Sequence, residues 1–186
     1  DAIFTERAAT CLVNPRAGRE IEFHTPPAVA PRRLAVVGGG PAGMAFALEA
    51  ARRGHAVQLF EAAPALGGQL NMARQVPGKS EFNEMLRYYR VGLQRAGVTV
   101  HLGHAVQANE LAQQMREGWI DQVVLATGVL PRRPDIAGID HPKVLSYVDV
   151  LRDRAPVGQR VAIIGAGGIG FDVAAFLVGD PAESQD

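Results

Sequence analysis

The chain has 186 residues, 47% of them hydrophobic and 20% charged, which is enough length and apolar content for a folded core of ordinary domain size. Its 19 Lys and Arg balance 19 Asp and Glu, so no net field draws it to nucleic acid or to an anionic membrane. A single cysteine excludes an internal disulfide framework and a self-contained thiolate metal site, and it fits a reducing, cytoplasmic setting.

Residues 1–30 have weak periodicity, and Pro26, Pro27 and Pro31 predict an extended arm. Leu34–Val37 is a short apolar run that predicts a buried strand, broken by Gly38, Gly39 and Gly40. Pro41 to Arg53 predicts a helix, with Met44, Ala47, Leu48 and Ala51 at helical spacing and Gly54 as its stop. Ala56 to Phe60 follows as a second strand, and a strand, helix and strand in so short a span demand a parallel pair with a right-handed crossover. Next come a helix from Glu81 to Ala96, a strand from Val98 to Leu102, a helix capped by Asn109 and running to Glu117, and a strand from Ile120 to Ala126. This alternation predicts a doubly wound α/β sheet of the Rossmann type that binds FAD or NAD(P). A helix is expected from Tyr147 to Arg154, then a strand from Arg160 to Ile164 that enters a second glycine loop and a helix reaching Val178. The expected boundaries are an arm over 1–30, an FAD-binding domain over 31–158 and the opening of an NAD(P)-binding domain over 159–186. The start at Asp1 without Met or signal segment, and the polar end after an apolar helical pattern, read as a piece of a longer protein. The longest apolar stretch, Val161 to Val178, contains four glycines and Asp172, so no transmembrane helix is expected.

Glycine is enriched, with 21 residues, and much of the excess sits in three clusters. Gly38 to Gly43 fits G-x-G-x-x-G between a strand and a helix, with an acidic residue at the end of the next strand. Gly38 serves the tight turn, Gly40 lets backbone approach a pyrophosphate, and Gly43 lets the helix pack closely. Free amides at the helix start face the phosphates. Glu61 stands where a carboxylate accepts hydrogen bonds from adenosine ribose hydroxyls and repels a 2′-phosphate, which favours FAD or NAD over NADP at this loop. Gly67, Gly68 and Gln69 form the second cluster, where backbone can approach a cofactor and Gln69 offers donors and acceptors. Lys79 and Arg74 can add positive charge near phosphate. Thr127 ends a buried strand where a sheet edge meets a cofactor, and Val106 lies where a short strand could bring its amide beside adenine. The third cluster, with Gly165, Gly167 and Gly170, repeats the first and would cradle a second dinucleotide. Its ribose-reading residue would fall beyond Asp186, so NAD and NADP are not distinguished. His101 and His104 have no carboxylate or thiolate at ligand spacing, and His24, His55 and His141 read as surface or loop residues. No triad or carboxylate pair is visible, so no catalytic residue is assigned and the chemistry must come from cofactors.

Residues 11–17 (Cys-Leu-Val-Asn-Pro-Arg-Ala), the loop up to Gly43, Gly67-Gly68-Gln69, the Gln75 to Lys79 run and the His141 to Tyr147 run together resemble the bacterial NADPH-dependent 2,4-dienoyl-CoA reductases over essentially the whole chain. The resemblance implies an electron relay in which NADPH gives hydride to FAD, and electrons pass through a 4Fe-4S cluster to FMN and on to a conjugated fatty acyl thioester of β-oxidation. It implies Cys11 as the fourth cluster ligand, and Ala42, Glu61, Gln69, Lys79 and Val106 as FAD contacts. The flavin barrel with FMN and the rest of the cluster loop would be partners from the same polypeptide, so this chain alone is expected to be inactive. Enoate reductases and amine dehydrogenases share the layout, some with ADP in place of FAD. A nucleotide-holding module without redox chemistry would carry the same loop.

Overall fold

The computed structural model describes residues 10–179. They divide into two compact units, the first comprising the described residues up to Gly68 with Glu81–Gly128, the second Gln69–Ser80 with the described residues from Val129 onward.

The first unit contains a four-stranded parallel sheet. Its strands are β1 (Arg33–Val37), β2 (Ala56–Glu61), β3 (Thr99–Leu102) and β4 (Gln122–Leu125), in the order β3-β2-β1-β4. Each neighbour pair is parallel, with Val37 opposite both Phe60 and Leu125 and Glu61 opposite Leu102, so the strands end along one rim. Helix α1 (Pro41–Arg52) crosses from β1 to β2 and packs on both and on the helix Glu81–Arg95. Its buried face is Gly43, Met44, Ala47, Leu48 and Ala50, close to the apolar stripe its spacing predicts. The opposite sheet face is closed by Ala35 and Phe60 against Leu111 and Ile120. This is the doubly wound arrangement expected from the alternation of elements.

In the second unit a short helix, α2 (Leu70–Ala73), precedes the turn Val76 to Lys79, with Pro77 at its second position and Gly78 at φ +77° at its third. Lys79 N–H donates to Val76 O at 3.1 Å, which makes this a type II turn. The helix Glu81–Arg95, named α3, and α4 (Ala108–Arg116) belong to the first unit. In the second lie α5 (Tyr147–Leu151) and α6 (Gly168–Val178), which meet through Val150, Leu151 and Val173.

Several boundaries differ from expectation. Helix α4 is preceded by Gln107, and Asn109 Oδ1 accepts instead from the neighbouring Glu110 amide. Helix α5 stops at Leu151, and its start is set by a reciprocal pair of bonds between Ser146 and Asp149. Helix α2 has only four residues and leaves no periodic signal. The expected strand at Arg160 to Ile164 is not one. No strand among the described residues pairs with it, and Ile164 is 76% exposed. A strand exists only through its ladder, and an apolar run without sheet neighbours satisfies neither its backbone nor its side chains.

Two ion pairs fasten the edges of the first unit. Arg16 donates to Glu49 Oε2 at 2.5 Å and to Thr25 Oγ1 at 3.2 Å, tying the arm to α1. Burial pushes the Glu49 carboxyl up, but hydrogen bonds from Thr25 and Arg16, with the charges of Arg16 and Arg52, hold it below its usual range. At the start of β4, Asp121 accepts from the Arg33 backbone amide and guanidinium, each at 2.7 Å, and these bonds lower its carboxyl from 3.8 to about 2. A carboxylate whose folded value lies below its unfolded one gives its full stabilisation above the unfolded value and loses it as pH falls through the folded one. Asp121→Asn should therefore flatten the dependence of unfolding midpoint on pH between 3.8 and about 2. Equal slopes in the two proteins would show that the pair contributes nothing.

Candidate functional site

The end of β1 runs directly into the first glycine loop. Gly38 has φ +109°, its amide donates to Phe60 O at 2.8 Å, and a Cβ there would lie 2.3 Å from Ala126 O. Gly40 precedes α1 in extended conformation, with Pro41 in the first helical position. The Ala42 and Gly43 amides, in the first turn, have no intrahelical acceptor. A Cβ on Gly43 would lie 1.9 Å from Gly38 O, so α1 is seated on the loop itself. A Cβ on Gly40 would meet nothing within 4 Å, which leaves an open face over the helix start. The residues thus form a cradle that fits a dinucleotide pyrophosphate.

Glu61 ends β2 and is the hub of this rim. Its Oε2 accepts from Gly39 N–H at 2.6 Å and its Oε1 from Ala63 N–H at 2.7 Å. Each oxygen keeps further acceptor capacity, so the carboxylate is oriented by backbone and still able to take ribose hydroxyls. Gly67 N–H donates to Gly39 O at 2.9 Å, and a Cβ on Gly68, at φ +54°, would lie 3.1 Å from Gly40 Cα. Gly67 and Gly68 therefore lie against the first glycine loop. Thr127 is exposed at the end of β4, its Cα 3.1 Å from the Cβ position of Gly38. Gly38, Gly40, Ala42, Gly43, Glu61, Gly68 and Thr127 are thus gathered at one end of the sheet, where open α/β sheets bind their ligands.

Val106 is not on a strand. Its amide closes a tight turn onto His104 O at 2.9 Å, and its side chain packs on the cluster of Ala35, Phe60, Leu111 and Ile120. Sequence reasoning missed Gly39 and Ala63 as the amides that hold Glu61, because backbone partners leave no residue-type signal.

Gln69 and Lys79 belong to the second unit. Gln69 Nε2 donates to Val129 O at 3.0 Å, and Lys79 Nζ donates to both Asp172 oxygens at 2.6 Å. The Asp172 partnership, 93 residues away in sequence, had no signal in the chain. The glycine loop of this unit repeats the geometry of the first. Gly165 has φ +115°, Gly167 is extended before α6, and a Cβ on Gly170 would lie 2.2 Å from Gly165 O.

Cys11 is exposed, and its sulfur accepts from Asn14 N–H at 3.3 Å. Among the described residues no three His, Cys, Asp or Glu are grouped to hold a metal. A 4Fe-4S cluster needs four thiolates, and the chain has a single cysteine, so its own residues do not fit the cluster. Among the described residues no helix is long and apolar enough to cross a membrane.

Residues 32–180 match the family model described as pyridine nucleotide-disulphide oxidoreductase. The chain belongs to that family. The chain is 35% identical over 177 residues to a metal reductase of Desulforamulus reducens, an alignment that covers 95% of the chain and 26% of the relative. It is 39% identical over 173 residues to a cinnamate reductase of Clostridium sporogenes, covering 90% and 24%. A solved structure of a 2-naphthoyl-CoA reductase in complex with 2-naphthoyl-CoA superposes with a TM-score of 0.82 at 31% identity, covering 95% of this chain and 26% of that one. The chain spans about a quarter of the length of these relatives. Membership of that family makes the chain a flavin-dependent pyridine nucleotide oxidoreductase module and implies FAD and NAD(P) as its cofactors.

Proposed function

We propose that this chain is the FAD-holding, electron-transfer portion of an NADPH-dependent reductase of conjugated acyl thioesters, of the 2,4-dienoyl-CoA type. The observation that carries the reading is the single assembly of open Gly40, the free helix-start amides and the doubly anchored Glu61 carboxylate. Glu61 would take the ribose hydroxyls of the adenosine. The amides of Ala42 and Gly43 would face the pyrophosphate, with Gly38 and Gly43 setting the approach and Gly68 and Thr127 beside it. Val106 would lie toward adenine. Gln69 and Lys79, which the dienoyl-CoA reductase resemblance adds, are engaged within the second unit by Val129 and Asp172, and the reading does not rest on them. Gly165, Gly167 and Gly170 would receive the nicotinamide dinucleotide. Bound FAD would supply the chemistry, taking a hydride equivalent and releasing electrons one at a time.

The substrate class is supported by the names of the relatives. Cinnamate and 2-naphthoyl-CoA both carry a carboxyl derivative conjugated with unsaturated carbon. Cys11, with its N–H···S bond, would be the chain's one contribution to a 4Fe-4S cluster completed by other parts of a longer polypeptide, which would also hold FMN.

The reading is tested by flavin titration of the purified chain. FAD is expected to bind with its absorbance perturbed, ADP to compete with it, and FMN, lacking the adenosine, to bind far more weakly. Equal affinity for FMN and FAD, or no competition by ADP, would overturn it. ADP binding without any FAD binding would favour the nucleotide-holding module instead.

A further inference from the structure

The turn between β3 and α4 is fastened to the turn after β2 at the residue that matters most to the site. Gly103 N–H donates to Ala63 O and His104 N–H to Glu61 O, both at 2.9 Å. The turn then closes on itself through Val106 N–H and His104 O. The Ala105 amide and the Val106 carbonyl remain without a hydrogen-bond partner among the described residues. A donor and an acceptor left open on adjacent residues, one bond away from the Glu61 backbone, suit the edge of a base that offers one acceptor and one donor. Adenine does so through N1 and its exocyclic amine.

Backbone bonds alone leave such a turn free to rock, and one side chain restrains it. The His104 ring stands edge-on to Phe60 with centroids 5.3 Å apart, and Phe60 is fully packed in the core. His104 Nε2 lies 3.1 Å from Glu110 Oε2, in the first turn of α4, and Glu110 Oε1 accepts from Gln114 at 3.3 Å. The imidazole is therefore a strut from β2 to α4 that spans the turn. His101, stacked flat on Phe60 at 4.6 Å and bonded to Gln58, backs it from β3.

We propose that His104, held between Phe60 and Glu110, is a positioning residue that fixes the Ala105–Val106 turn for recognition of the adenine end of the dinucleotide. The inference rests on the reading of Glu61 and the glycine loop given above. It predicts base discrimination, because inosine diphosphate presents a donor at N1 and an acceptor at C6, the reverse of adenine.

The test is calorimetric titration of the chain with ADP and IDP. Wild type is expected to prefer ADP by roughly tenfold. His104→Phe keeps the ring against Phe60 and loses the bond to Glu110, and Glu110→Ala removes the same bond from the other side. Each should cut the ADP preference to about twofold or less, and the double variant should lose no more than either single one. Glu110→Gln, which keeps an acceptor for His104, should keep the preference. A merely structural role would weaken both nucleotides alike and leave their ratio unchanged, and that result overturns the inference. If wild type binds ADP, Glu61→Ala impairs that binding and His104→Phe leaves the ratio intact, this inference fails alone. A wild type that binds neither nucleotide overturns the proposed function and this inference with it.

Discussion

Gly43→Ala is expected to destabilise the first unit by about 3 kcal/mol and to abolish dinucleotide binding. Two effects oppose each other at this position. Alanine is the better helix former, by about 1 kcal/mol in a helix interior. Its Cβ, however, would lie 1.9 Å from the Gly38 carbonyl oxygen, a backbone atom that cannot turn aside. The loop or the whole of α1 must move, and the clash outweighs the propensity. Against a typical total of about 5–15 kcal/mol the loss is large. Urea titration should show a lower midpoint at unchanged slope. Gly40→Ala is the informative partner. Its Cβ would meet no protein atom, and Gly40 already has a conformation open to any residue. It should cost no more than about 1 kcal/mol of stability, yet its methyl group would fill the space proposed for the pyrophosphate and weaken FAD binding. If Gly43→Ala unfolds at the wild-type midpoint, α1 does not sit on the loop as described. If Gly40→Ala binds FAD normally, the open face is not the phosphate site.

Glu61 supplies the second large effect. Glu61→Ala should lose a charge-assisted bond to the ribose, which at about 1.5–3 kcal/mol corresponds to roughly a ten- to hundredfold loss of FAD affinity. From the residue type alone, glutamine looks like a mild replacement that keeps hydrogen bonding. The geometry says otherwise. Both carboxylate oxygens accept from backbone amides, Gly39 on one side and Ala63 on the other. A carboxamide has one acceptor, so its NH2 group would face an N–H donor. Glu61→Gln is therefore expected to fall close to Glu61→Ala in FAD affinity and to release one of the two amides. Fluorescence titration gives the affinity, and hydrogen exchange at Gly39 and Ala63 reports the release. Full FAD affinity in Glu61→Ala would remove Glu61 from the site.

The sequence by itself determined the first βαβ unit, the parallel alternation of the elements and the place of the first glycine loop between strand and helix. Those features are written in local terms: a short apolar run, glycines at fixed offsets, a proline in the first helical turn, and an acidic residue at the end of the next strand. Each is a property of a few neighbouring residues, so periodicity and residue type suffice to read it. The internal likeness of the two loops was also legible. The tertiary structure bears it out in the matching conformations of Gly38 and Gly165 and the matching close approaches of Gly43 and Gly170.

What only the tertiary structure decided depends on partners far away in the chain. Arg160 to Ile164 looked like the strand before the first loop, yet a strand is a relation between segments, and its four apolar residues have no ladder here. Lys79 looked like a phosphate ligand because of its charge, but Asp172 takes its ammonium through two bonds. Gln69 and Lys79 lie between β2 and α3 in sequence and are nonetheless part of the second compact unit. The Glu61 carboxylate owes its orientation to two backbone amides, and the turn at Val106 owes its shape to His104, Phe60 and Glu110. Backbone donors are the same in every residue but proline, and long-range pairs are fixed only when the chain closes on itself. The sequence therefore carries the site's chemistry, and the fold decides which of those groups remain available to perform it.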